Sequence, residues 1–254
     1  MLLAVDIGNT NITLGLYDDE VLLFTARLAT NKYNTADQYA VEIKNVLLLH
    51  GCRFETIEDA IVSTVVPGVG KAVSSAISML CHIVPLELGP GVKTGLNIKI
   101  DNPAQLGADL AAAAAGALHE YTMPCIIIDM GTATTVSVLD SNGAFLGGVI
   151  AAGVNLTLKA LTENTSQLPS IRLEAPARVI GTNTADCMRS GIMFGTAAML
   201  DGIIDRIEAE LGTSATVVAT GGLSREIIQY SERNIIYNEN LLLDGLRYIY
   251  EKNN

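Results

Sequence analysis

One pattern occurs twice along this chain, and it constrains the fold more than any other feature. The apolar run Leu2–Val5 leads into Asp6-Ile7-Gly8-Asn9-Thr10, and Cys125–Ile128 leads into Asp129-Met130-Gly131-Thr132. In each copy two further strand-like runs follow. They are Ile12–Tyr17 and Val21–Leu28 in the first copy, turning at Asp18-Asp19, and Val136–Leu139 and Ala144–Ile150 in the second, turning at Ser141-Asn142-Gly143. A strand, an Asp-x-Gly loop and a hairpin that recur about half a chain apart mark an internal duplication. The expectation is two related α/β domains, residues 1–120 and 121–254, joined near Glu120–Pro124 without a low-complexity linker and sharing a cleft.

The remaining segments fill in this frame. Thr35-Ala36-Asp37 can cap a helix running to Leu49 and stopping at Gly51. Ala60–Val66 reads as a buried strand ended by Pro67-Gly68, Val69–Leu80 as a helix, and Ile83–Leu88 as a strand. An Ala-rich helix is expected over Gln105–His119. A long helix follows over Ala185–Leu211, then a strand at Ala215–Ala219, the Thr220-Gly221-Gly222 turn, and a last helix at Leu241–Glu251.

Composition narrows the function. With 49% hydrophobic residues the chain can bury a sizeable core. A net charge of −11 repels DNA, RNA and anionic lipid surfaces, so neither a nucleic-acid nor a membrane partner is expected. The apolar stretch Ala111–Leu118 is far shorter than the roughly 20 residues of a membrane span. No secretory leader is visible before Asp6, and Cys52, Cys81, Cys125 and Cys187 follow no C-x-x-C spacing. The expectation is a cytoplasmic protein with buried, reduced thiols. His50, His82 and His119 are equally scattered, so no zinc site is read.

An Asp-x-Gly-x-Thr turn at the end of a strand has a chemistry of its own. The Gly lets the backbone approach a ligand closely, and the Thr hydroxyl and turn N–H groups can face phosphate oxygens. The carboxylate does not touch phosphate directly; it holds a cation or its water shell. The paired Gly of Thr220-Gly221-Gly222 would let a flat nucleotide lie against the backbone. Two phosphate loops and one adenosine loop form a trio. Gly89-Pro90-Gly91-Val92-Lys93-Thr94-Gly95 only imitates a P-loop, because Val92 stands where Gly must precede Lys-Thr; it is read as a turn near the substrate end of the cleft.

The trio resembles the acetate and sugar kinase, Hsp70 and actin superfamily, in which duplicated ribonuclease-H-like domains enclose a central interdomain ATP cleft. The resemblance narrows further. Asp6-Ile7-Gly8-Asn9-Thr10-Asn11, Asn102-Pro103 with Gly107-Ala108-Asp109, Asp129-Met130-Gly131-Thr132-Ala133-Thr134-Thr135, Gly181-Thr182-Asn183-Thr184 and Thr220-Gly221-Gly222 occur in order, and together they resemble the type III pantothenate kinase family along the whole chain. The resemblance implies ATP-dependent phosphorylation of the primary hydroxyl of pantothenate, the first step of coenzyme A biosynthesis. It implies Asp109 as catalytic base. It implies Asp6, Ile7, Gly8, Asn9, Thr10, Asn11, Ile12 and Thr13, with Thr132, as ATP contacts, joined by Gly221 and Gly222 of the adenosine loop. It implies Gly107, Ala108, Asp109, Leu110 and Thr184 on the substrate side, and Asp129 at a monovalent cation, potassium or ammonium. Magnesium with ATP and a homodimer are implied as well.

Three positions depart from the family's pattern. Leu110 stands where Arg follows the Gly-x-Asp, Ile100 where Tyr is common, and Val136-Ser137 where an aromatic residue and Asp are common. An Arg would offer a charge-assisted hydrogen bond that Leu cannot make. All three departures leave the ATP loops intact, so two alternatives to pantothenate phosphorylation stay open. One is a kinase of a related small hydroxy compound; the other is a nucleotide-binding regulatory paralogue without catalysis.

Overall fold

The computed structural model describes residues 1–254. The chain forms two compact units, Met1–Glu120 with Asn240–Asn254, and Tyr121–Glu239.

The first unit begins with β1 (Leu2–Ile7), β2 (Asn11–Asp18) and β3 (Val21–Ala29), an antiparallel run. Helix α1 (Ala36–Leu49) follows, started by a capping box in which the Thr35 side chain accepts from the Gln38 N–H and the Gln38 side chain accepts from the Thr35 N–H. Strand β4 (Asp59–Thr64) then pairs parallel to β1, and α2 (Pro67–Cys81) opens with proline at its first position. The strand expected at Ile83–Leu88 is reduced to β5 (Leu86–Glu87), and a second two-residue strand, β6, covers Asn97–Ile98. The Ala-rich helix starts later than expected: Pro103–Gln105 forms a 3-10 turn capped by Asn102, and α3 runs Ala108–Glu120. The sheet order is β3-β2-β1-β4-β5.

Both faces of this sheet are covered. Leu3, Val5, Ile7, Ile12 and Leu14 pack with Tyr39, Ile43, Val73 and Ile77 of α1 and α2. Leu2, Ala4 and Ile61 pack on the other face with Ala112 and Ala115 of α3 and with Leu243, Leu246 and Ile249 of the C-terminal helix, Leu241–Glu251. That last helix is where the expected domains and the observed units differ. The expected second domain, 121–254, includes it; the structure packs it into the first unit. Its apolar face closes the β1 face, and Tyr17 of β2 donates to Asp244 Oδ1 at 2.7 Å. Glycine makes the fit possible: a Cβ at Gly245 would collide with the Ala112 carbonyl, and one at Gly116 with the Leu241 carbonyl. The Gly89–Gly95 turn is held by the same tail, since the Lys93 N–H donates to Asn253 Oδ1 and Asn253 Nδ2 donates to the Lys93 carbonyl.

The second unit repeats the frame. Strands β7 (Cys125–Met130), β8 (Ala133–Leu139) and β9 (Ala144–Ala152) are antiparallel neighbours. Helix α4 (Val154–Glu163), which the sequence reading did not anticipate, precedes α5 (Thr184–Leu211). Then come β10 (Thr216–Thr220), parallel to β7, a short α6 (Ser224–Ile228) and β11 (Ile236–Tyr237), parallel to β10. Within this unit the strands run β9-β8-β7-β10-β11. Each strand therefore takes the place and direction of its counterpart in the first unit, and the chain consists of duplicated ribonuclease-H-like domains. The C-terminal helix is α7. The main core lies on one face, where Ile126, Ile128 and Met130 meet Ile192, Met193, Ala197 and Leu200 of α5.

All four cysteines are free. Cys125 is buried, and burial pushes its thiol up to about 12; Cys52 and Cys81 are half-buried. Cys187 corrects the expectation of buried thiols: it lies exposed in the first turn of α5. No helix is long and apolar enough to cross a membrane.

Candidate active site

In the first unit, β1 delivers Asp6 to its C-terminal end, and the loop to β2 closes on itself through the Gly8 N–H and the Asn11 carbonyl at 2.9 Å. Thr30, just past β3, secures the loop twice, from its hydroxyl to the Gly8 carbonyl and from its N–H to the Thr10 carbonyl. Asn9, Thr10 and Asn11 are left exposed at the tip, while Ile7 and Ile12 anchor both ends in the core. Exposed polar residues and backbone N–H groups on a rigid stem suit a phosphate-binding loop.

Asp109 is the second residue of α3. Its Oδ1 accepts from the Leu110 N–H at 2.8 Å, so the carboxylate folds back over the start of its own helix. Gly107 allows this, because a Cβ there would lie 2.5 Å from Asp109 Oδ1. Burial raises the Asp109 pKa above the ordinary carboxylate value, and the N–H groups of Leu110 and of Asp109 itself lower it in part. Burial dominates, so the group is a stronger proton acceptor than a solvated aspartate, which suits a general base. Ala108 packs with Leu2, Ala4 and Ile61, so α3 begins on the sheet face that Asp6 shares.

In the second unit, Asp129 is half-buried at the end of β7, and Gly131 and Thr132 are exposed beyond it. The loop is one residue shorter than its counterpart: Met130 pairs with Thr134 here, where Ile7 pairs with Ile12 in the first unit. Gly221 follows β10 with φ of +93°, and a Cβ on it would stand 2.6 Å from Asp129 Oδ1 and 2.7 Å from the Met130 nitrogen. Only glycine fits so close an approach in that conformation. The structure thus brings Asp129 and the Gly221 turn together. Thr184 is on a separate element, as the exposed first residue of α5. The helix N-cap there is Asn183, whose side chain accepts from the Asp186 N–H at 2.9 Å. The preceding segment is tied to the helix by Cys187 Sγ on the Gly181 carbonyl and by Ser190 Oγ on the Val179 carbonyl.

One residue escaped the sequence reading. Register places Ser63 of β4 and Thr13 of β2 on either side of Asp6, and Thr220 and Thr135 on either side of Asp129. A carboxylate between two hydroxyls therefore recurs at both strand ends. Thr13 and Thr220 lay inside motifs already singled out, but Ser63 belongs to none, and only strand pairing reveals it.

The sequence pattern of the type III pantothenate kinases matches residues 2–206. This chain belongs to the type III pantothenate kinase family. A type III pantothenate kinase of Halalkalibacterium halodurans is 40% identical over 253 residues, covering all of both chains. One from Exiguobacterium sibiricum is 42% identical, again over the full length of both. Among solved structures, a protein from Campylobacter jejuni described as a Baf family transcriptional activator aligns over 99% of this chain and 98% of its own, with a TM-score of 0.64 at 19% identity. The activator of 2-hydroxyisocaproyl-CoA dehydratase from Clostridium difficile, with bound ADPNP, aligns over 98% of this chain and 93% of its own, with a TM-score of 0.57 at 17% identity. At these identities the likeness is one of fold.

Proposed function

We infer that this protein transfers the γ-phosphoryl group of ATP to the primary hydroxyl of pantothenate, giving 4'-phosphopantothenate and ADP. Full-length identity of 40% to type III pantothenate kinases supports the reaction, and the burial-raised basicity of Asp109 on the first turn of α3 is the observation that carries the mechanism. Asp109 accepts the hydroxyl proton as the hydroxyl oxygen attacks phosphorus and ADP leaves. Asp6–Thr13 and Thr132 contact the phosphates, and Gly221 and Gly222 leave room for the nucleoside. Gly107, Ala108, Leu110 and Thr184 line the pantothenate side, where Leu110 supplies apolar contact in place of a guanidinium.

The donor set fits two kinds of cation. Magnesium keeps most of its waters and takes one or two carboxylates together with phosphate oxygens, and Asp6 offers such a carboxylate; no group of three or more acidic, His or Cys residues forms a closed cage. When bound, magnesium neutralises charge on the phosphates. Asp129 would hold a potassium or ammonium ion. The chain acts as a homodimer in this reading; Val179 and Ile180, 65% and 82% exposed in the segment that leads to Thr184, are apolar side chains such an interface could cover.

A coupled assay of ADP release with ATP, magnesium and pantothenate tests the proposal. Pantothenate-dependent turnover, faster in potassium than in sodium, is expected. Absence of turnover with nucleotide binding retained would sink the catalytic reading, and equal rates in the two salts would remove the role given to Asp129.

A further inference from the structure

Ser63 is wholly buried, and its Oγ has no hydrogen-bond partner. A hydroxyl in that state costs stability that alanine would not, so its presence asks for a reason. Its position supplies one. Ser63 on β4 is paired in register with Asp6 on β1, so both side chains leave the sheet on the same face, about 4.8 Å apart along the sheet. That face is the one on which α3 packs. The second unit repeats the pairing, with Thr220 of β10 beside Asp129 of β7. Ser63 exposes no surface and cannot itself touch a nucleotide.

We propose that Ser63 is a positioning residue for the first phosphate loop. In the nucleotide-bound state its hydroxyl donates a hydrogen bond to the Asp6 carboxylate and holds that carboxylate in the orientation that receives magnesium and ATP. A donor built into the adjacent strand fixes the carboxylate's orientation before the ligand arrives, so less of the ordering cost falls on binding. The inference rests on the reading of Asp6–Thr13 as an ATP loop.

The test uses the full chain and calorimetric titration of magnesium with the non-hydrolysable β,γ-imido analogue of ATP. Ser63→Ala, Asp6→Ala and the double variant are compared with the parent. The Ser63→Ala protein should melt at the same or a higher temperature yet bind the analogue about tenfold more weakly, the loss of one hydrogen bond to a charged group. Its KM for ATP should rise while that for pantothenate stays put, and it should add nothing in the Asp6→Ala background. Parent-like binding by Ser63→Ala, or an equal loss with and without Asp6, overturns the proposal and leaves Ser63 as a packing residue. If the alanine variant melts too low to titrate, Ser63→Cys, a weaker donor of similar size, must show the weakened binding; parent-like affinity there also overturns it. Unchanged binding by Asp6→Ala is a different failure, and it rejects the phosphate loop itself.

Discussion

The two units share a sheet order but end their matching strands differently. Strand β10 is followed by Gly221, whose left-handed backbone lies against Asp129. Its counterpart β4 ends in Thr64, whose Oγ1 accepts from the Val66 N–H at 3.0 Å and whose side chain packs against Gly70 as α2 begins. One strand end is kept open by glycine, and the other is filled by a side chain and the start of a helix. The first unit instead carries Asp109 on α3, a carboxylate whose basicity burial raises. The duplication thus supplies one frame twice, and under the proposed function the differences within it divide the work: room for a nucleotide in the second unit, a proton acceptor in the first.

The largest effect should come from Asp109, the proposed base. Asp109→Asn is expected to lower kcat by roughly 10²–10⁴-fold in the coupled assay. Burial raises the Asp109 pKa in the fold, so the folded chain keeps this proton to higher pH than the unfolded chain does. Asp109 accordingly lowers stability as pH rises from the unfolded value to the folded one, and Asn relieves this; the variant should melt higher at neutral pH. The parent's kcat/KM should fall on acidification through a pKa above the ordinary carboxylate value of about 3.9. A fully active Asp109→Asn would remove the first unit's half of the comparison.

A smaller loss should follow Gly221→Ala. The methyl meets Asp129 and the Met130 backbone in a conformation that costs about 1–3 kcal/mol for a non-glycine residue. Binding of the ATP analogue should weaken about tenfold or more. The matching change in the first unit, Thr64→Gly, should leave nucleotide affinity within about twofold; equal losses at both positions would erase the distinction between open and filled strand ends. The smallest effect is expected from Leu110→Arg, a several-fold lower KM for pantothenate with kcat little changed, read from initial rates. No change in KM would mean that the substrate carboxylate is met by another group.

Much of this frame was legible because it is local. Apolar runs, Asp-x-Gly loops and hairpin turns each report on a few neighbouring residues, and their repetition marks the duplication. What was missed is non-local. The pattern of Leu241, Leu243, Leu246 and Ile249 says that α7 buries a face, but not which sheet receives it. Helix α4 is capped by Gly153, which offers no side chain to accept its first N–H groups, so its start left little trace. The base position Asp109 was read by resemblance as a motif, while its raised pKa depends on burial that only the packed helix provides. Ser63 carries no pattern at all, and its meaning comes from the strand beside it.

The place of α7 also sets the order in which the chain can mature. The second unit, residues 121–239, is one continuous stretch of chain that closes its own core. The first unit is not. The face built from Leu2, Ala4 and Ile61 waits, partly bare, until residues 241–251 leave the ribosome. The half of the molecule made first is therefore finished last, and a chain stalled or clipped before Leu241 would present that apolar face to whatever else the cell contains.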